Sequence, residues 1–186
     1  MTPLAQTVAQ AAVAAPLTTA AVSGPATATA TASATASVAT SAASSAALGL
    51  WPLIWANISG APLDEELNCI ATAIYFEARG EPFDGQLAVA EVVMNRARSG
   101  RYPATYCGVV KQPAQFSFVR RGQFPRVDTS SQSWSYAQSI TRIAASQLAD
   151  KLPDDVLWYH ADYVAPGWGK RLNRVEKIGA HIFYRA

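Results

Sequence analysis

Glu77 places an ionisable carboxyl on what is otherwise an apolar stripe. Leu67, Ile70 and Ile74 recur at spacings of three and four, and Glu77 falls three beyond Ile74. A helix of 3.6 residues per turn therefore aims all four toward one side. A carboxyl held among apolar neighbours loses hydration, so its pKa rises and it can donate a proton near neutral pH. A carboxylate turned out to water, or one paired with Arg79 or Arg96, would lack that property, and these fates stay open. Glu81 follows four residues later, but Gly80 and Pro82 interrupt the helix between the two. Glu81 is thus either a second carboxylate for the same chemistry or a cap or ion-pair partner. Tyr75 lies two positions before Glu77, off the stripe, and is expected to contact the substrate rather than take part in the proton transfer.

The C-terminal part carries a second group of side chains with chemical potential: Tyr159, His160, Trp168 and His181. Aromatic faces and polar tips suit the apolar and hydroxylated sides of a sugar ring. Trp168 follows Pro166-Gly167, a loop context that favours exposure, although a tryptophan in a small domain also serves as core.

The motifs surrounding these residues resemble one family. Tyr75-Phe-Glu-Ala-Arg-Gly-Glu-Pro is followed by Gly85-Gln, Asn95-Arg, Tyr102-Pro, Cys107-Gly-Val-Val-Lys-Gln and Gln115-Phe-Ser-Phe. Trp158-Tyr-His, Trp168 and Arg174-Val-Glu-Lys-Ile-Gly-Ala-His-Ile-Phe-Tyr close the series. Taken in this order over residues 66–185, they resemble the cell-wall hydrolases related to the spore-cortex-lytic enzymes, the SleB/CwlJ type. The resemblance implies a lysozyme-like fold, a peptidoglycan substrate and a single catalytic glutamate, which maps to Glu77. It also implies a cleft segment at Gln115, Phe116 and Ser117, where an amide and a hydroxyl could orient the sugar amides. Relatives often carry an additional cysteine pair around that segment; here it reads Pro113-Ala-Gln-Phe-Ser-Phe-Val-Arg-Arg, and that staple is missing.

Glycosidic cleavage needs an acid for the departing oxygen and a group to take up the positive charge developing on the sugar. A hydrolase supplies a second carboxylate. A lytic transglycosylase uses the substrate's own 6-hydroxyl and leaves a 1,6-anhydro sugar, so one acid/base suffices. The expected activity is therefore cleavage of glycan strands at the muramyl glycosidic bond by lytic transglycosylation. No cofactor is expected. One alternative is a zinc-dependent N-acetylmuramoyl amidase, which would have to recruit both histidines and a carboxylate, since the chain has no His-x-x-x-His or Cys-x-x-Cys. The other is a non-catalytic peptidoglycan-binding module.

Several elements must position these groups. Asp64-Glu-Glu precedes a helix over about 65–79, where acidic side chains offset the positive end of the dipole. A second helix over about 84–98 buries Leu87, Val89, Ala90, Val92, Val93 and Met94, too wide a stripe for a surface helix, and so reads as the central one. Prolines and glycines break residues 101–128 into short turns. A third helix over about 130–149 buries Ile140, Ile143, Ala144 and Leu148. Val156–His160, Arg174–Lys177 and His181–Tyr184 then read as strands of a small antiparallel sheet. The fold class expected is α+β, predominantly α: a lysozyme/lytic-transglycosylase-like domain over residues 64–186, preceded by a disordered tail.

That tail, residues 1–63, contains none of the chain's 15 basic and 13 acidic residues. Residues 1–48 are mostly Ala, Thr, Ser and Val, which offer little bulky apolar surface to offset ordering entropy, and read as a linker. Ala46–Trp55 is apolar but only about half a membrane span and contains Pro52, so no stable transmembrane anchor is expected. It reads either as part of an export signal or as a strap that docks on the domain. An export signal is not clear, because the N-terminus lacks Lys and Arg; the expected location is nonetheless the cell envelope, periplasmic or exported. Cys69 and Cys107 allow one pairing in such a compartment, with two reduced thiols as the alternative. A net charge of +2 gives no case for nucleic acid, and a monomer is expected. Arg120, Arg121 and Arg126 form a local basic cluster that either faces an anionic polymer or is simply solvated.

Overall fold

The computed structural model describes residues 49–186. The linker expected over residues 1–48 lies outside the described residues. The element order is α1 (Trp51–Asn57), α2 (Glu65–Glu77), α3 (Phe83–Arg98), α4 (Tyr106–Val110), α5 (Gln132–Ala145), β1 (Val156–Ala161), a 3-10 turn (Gly169–Arg171), β2 (Asn173–Ile178) and β3 (His181–Arg185).

Asp64 caps α2 by accepting a hydrogen bond from the Leu67 amide at 2.8 Å, with Glu65 and Glu66 in the first turn. The helix stops at Glu77, two residues earlier than expected. Helix α3 is the central one: every residue from Gly85 to Arg96 is buried. Ile70 and Ile74 of α2, Leu87 and Val93 of α3, and Ile140 and Ile143 of α5 meet in one core.

Helix α5 begins at Ser131, whose hydroxyl accepts from the Trp134 amide, and ends at Ala145 rather than near 149. There the Leu148 amide donates to the Ile143 carbonyl and the Gln147 amide to that of Ala144, with Gln147 at φ +52°. This is a Schellman closure in which glutamine occupies the left-handed position usually filled by glycine. Leu148 is consequently exposed, not buried as the periodicity implied.

The segment read as a strap or export fragment forms α1. Ile54 is fully buried and Leu50 nearly so, both within the same core as α2 and α5. Ser139 Oγ donates to the Ile54 carbonyl at 2.8 Å. The Arg142 guanidinium donates to the carbonyls of Asn57, Gly60 and Ala61, satisfying acceptors at the open C-terminal end of α1. A Cβ at Gly60 would lie 2.6 Å from Arg142 Cδ, so any side chain there would displace the guanidinium from these carbonyls. Packed chain therefore extends upstream of Asp64, the boundary that charge alone suggested.

The three strands form an antiparallel sheet in the order β1-β3-β2. A register shift between Val156 and Trp158 lets Val156 and Tyr159, three apart, face the same side. That inner face, with Phe183, packs on Ala88 and Val92 of α3. Helix α3 also holds the approach to β1 through polar groups. Glu91 accepts from the Lys151 and Leu152 amides at 2.9 Å each. Asn95 Nδ2 donates to the Pro153 and Val156 carbonyls, and Arg96 Nε to that of Leu157. Finally, Cys69 of α2 and Cys107 of α4 form a disulfide.

Candidate functional site

Helix α2 ends at the rim of a cavity of about 650 Å³ and places Phe76 and Glu77 in its wall. Among the cavity-lining residues Glu77 is the only carboxylate. It is half-buried, and among the described residues it forms no ion pair with Arg79 or Arg96. Arg79 instead stacks over the Tyr75 ring. Burial pushes the Glu77 carboxyl above the ordinary carboxylate value.

The opposite wall is the sheet. Tyr159 and His181 lie edge to face at 5.2 Å between ring centroids. The Tyr159 hydroxyl is pushed upward by burial first and then by the negative charge of Glu77, with Arg96 opposing. Tyr159 thus lies within electrostatic reach of both. His181 is buried, and desolvation pulls its imidazole below the ordinary value, against the opposing carboxylates of Glu81 and Asp162. Its Nδ1 has no partner. An unpaired lone pair costs less than an unpaired buried N–H, which assigns the proton to Nε2.

His160 occupies the other face of β1. Its Nδ1 lies 2.8 Å from the Ala161 carbonyl, which can only accept, so Nδ1 carries the proton. Nε2 then accepts from the Tyr184 hydroxyl at 2.9 Å. Trp168 packs edge-on against both His160 and Tyr184 and lines the cavity from its loop.

The structure brings together most of the residues expected at the site: Glu77, Gln115, Ser117, Tyr159, His160, Trp168 and His181 all line the cavity. Three expected residues stand elsewhere. Tyr75 is buried against Trp134 and Phe76. Phe116, between two exposed cavity residues, turns inward and is also buried. Glu81 lies outside the lining and accepts a hydrogen bond from the Ala180 amide.

Sequence reasoning missed Tyr102, Trp158 and Tyr163, and treated Arg96 only as an ion-pair partner for Glu77. Tyr102, Trp158 and Arg96 stood in the quoted motifs but were given no part in binding. Tyr163, 85% exposed at the cavity edge, had no signal in the chain.

This architecture is shared with solved catalytic domains. The catalytic domain of the germination-specific lytic transglycosylase SleB from Bacillus anthracis aligns with a TM-score of 0.57 and 31% identity, covering 68% of this chain and 98% of that one. The catalytic domain of the Bacillus cereus SleB protein aligns with a TM-score of 0.56 at 31% identity, over 69% and 96%. The fold is thus the lysozyme-like, predominantly helical one with a small antiparallel sheet. Residues 80–184 match the cell wall hydrolase family, and the chain belongs to that family, of the SleB/CwlJ type. The matched range begins three residues after Glu77.

Among curated relatives, the spore cortex-lytic enzyme of Oceanobacillus iheyensis is 31% identical over 130 residues, 68% of this chain and 44% of that protein. The spore cortex-lytic enzyme of Bacillus subtilis is 30% identical over 128 residues, 69% and 40%. The chain therefore spans less than half the length of these relatives.

Proposed function

We propose that this protein cleaves the glycan strands of peptidoglycan at the muramyl glycosidic bond by lytic transglycosylation, with Glu77 as the acid/base. The observation that carries the reading is a cavity with one carboxyl, half-buried, without an ion-pair partner and shifted toward its protonated form. Glu77 gives its proton to the departing glycosidic oxygen as the bond from C1 breaks. The resulting carboxylate then takes the proton of the muramyl 6-hydroxyl as that oxygen bonds to C1, which restores the acid and leaves a 1,6-anhydro end. Two-carboxylate hydrolysis would want a second carboxyl roughly 5–9.5 Å away, and Glu81 is engaged by the β2–β3 turn instead. Gln115 and Ser117 offer an amide and a hydroxyl to the sugar, and Trp168 an aromatic surface.

The names of the relatives support the same reading. A zinc amidase is disfavoured because His160 spends both ring nitrogens on protein partners. The disulfide agrees with action outside the cytoplasm, in the cell envelope. No helix among the described residues is long and apolar enough to cross a membrane.

Mass spectrometry of purified sacculi digested by the protein tests the reading. Anhydro-muramyl ends that borohydride does not reduce are expected. Reducing ends would mean hydrolysis, and release of stem peptides would mean amidase action.

A further inference from the structure

The cavity contains a buried guanidinium that no carboxylate among the described residues pairs with. Arg96 leaves the last turn of α3 with 5% of its surface exposed. Its Nε donates to the Leu157 carbonyl at 2.7 Å, and its guanidinium carbon lies 5.1 Å from the centre of the Tyr102 ring. One edge of the planar group is therefore fixed to β1 and one face is covered. The two Nη atoms, with four N–H donors between them, have no protein acceptor among the described residues. They are not sealed in either: neither is a fully buried orphan, and Arg96 lines the cavity.

A purely structural brace would not need this arrangement. Neighbouring Asn95 holds the Pro153 and Val156 carbonyls without introducing a charge. The four ion pairs of the described residues all lie elsewhere, and none involves Arg96. Burial pulls the Arg96 guanidinium below its ordinary value, and only the phenols of Tyr159 and Tyr102 oppose this, not a carboxylate. Guanidinium nevertheless stays protonated in proteins. A buried charge without a counter-ion costs free energy that a hydrogen-bonded anion can return.

We propose that Arg96 is a specificity-determining residue that takes a carboxylate of the substrate on its free Nη edge. Resting on the glycan reading above, the group of matching chemistry is the lactyl substituent at O3 of the muramyl sugar. It ends in a free carboxylate where the strand carries no stem peptide, and in a neutral amide where a peptide is attached. The planar fork of guanidinium matches a carboxylate in a two-point contact, and charge-assisted bonds of this kind exceed those to a neutral carbonyl. The cleft therefore favours peptide-free muramyl residues over peptide-bearing ones, and over N-acetylglucosamine at the same subsite.

The test is NMR titration of the full chain with a peptide-free muramyl tetrasaccharide, its lactyl methyl ester, and chitotetraose of the same length. The free acid should bind at least about tenfold more tightly than the other two, as expected for one charge-assisted contact. Arg96→Gln should erase the difference, and Arg96→Lys should keep part of it. If Arg96→Gln does not fold, the acid-against-ester comparison on the wild type decides. Equal binding of acid and ester, binding of neither, or a preference that persists in Arg96→Gln would overturn the proposal. Sacculus cleavage without the preference sinks this inference alone, whereas the preference without cleavage sinks the proposed function alone.

Discussion

The Glu81 carboxylate accepts a hydrogen bond of 2.8 Å from the Ala180 amide, 99 positions later in the chain. It thereby ties the turn between α2 and α3 to the β2–β3 turn. Gly179, at φ +58°, makes this contact possible. A Cβ there would collide with Glu81 Oε2, and the left-handed backbone disfavours a side chain in any case. Glu81→Gln should consequently lower stability by about 1–2 kcal/mol, as for a hydrogen bond losing its charged partner. Its turnover of peptidoglycan should stay close to wild type. Chemical denaturation beside a sacculus assay separates the two effects, and a collapse of turnover in a well-folded variant would return Glu81 to the chemistry.

Glu77→Gln should fold normally and still bind peptidoglycan, because the amide keeps the shape of the carboxyl. It removes the transferable proton, and turnover should fall by at least ~10²-fold, the low end for a general acid. The pH profile carries a second signature. The acid is competent while protonated, and burial raises its pKa. Activity should therefore persist above the ordinary glutamate range and decline as pH rises through the raised value. A decline centred near pH 4.5 would contradict an effect of burial on Glu77.

Glu91 is a second buried carboxyl, and its signature should appear in stability. Burial pushes its carboxyl up to about 7, outweighing the Lys151 and Leu152 amides that favour the charged form. The folded state then holds a proton that the unfolded state has released between about pH 4.5 and 7, so stability falls as pH rises across that window. The full shift corresponds to roughly 3 kcal/mol. Urea midpoints measured from pH 4.5 to 7.5 should show this slope, and Glu91→Gln should flatten it.

The Cys69–Cys107 bridge links residues 38 apart and joins α2 to α4. Replacing both cysteines by serine should cost ~2–4 kcal/mol, the usual range for closing a loop of such length. Thermal unfolding measures the loss. Mass spectrometry without reductant should find no free thiol in wild-type protein folded under oxidising conditions.

Helix α1 should belong to the folding unit although it lies upstream of the first charged residue. Ile54→Ala should destabilise by about 2–5 kcal/mol, as for emptying a fully buried aliphatic site. A chain starting at Asp64 should be less stable than one starting at Gly49, since it also loses the Ser139 and Arg142 contacts to α1. Limited proteolysis should leave a core that includes Trp51–Asn57.

Features that rest on local periodicity and side-chain chemistry were legible along the chain. The spacing of Leu67, Ile70, Ile74 and Glu77 defines one helical face regardless of context, and the Asp64 cap and the breadth of the apolar set on α3 are equally local. Strand composition near 156–160, 174–177 and 181–184 foreshadowed the sheet, and the ordered motifs pointed to the family. Features that depend on a partner distant along the chain emerged only in the folded molecule. Glu81 leaves the cavity because Ala180 comes to meet it. Phe116 turns inward while Gln115 and Ser117 stay in the cleft. Arg96 becomes a cavity residue only because β1 takes up its Nε and Tyr102 covers its face. Each of these outcomes balances desolvation against a hydrogen bond or packing contact supplied from elsewhere in the chain, and no window of neighbouring residues contains both sides of that balance.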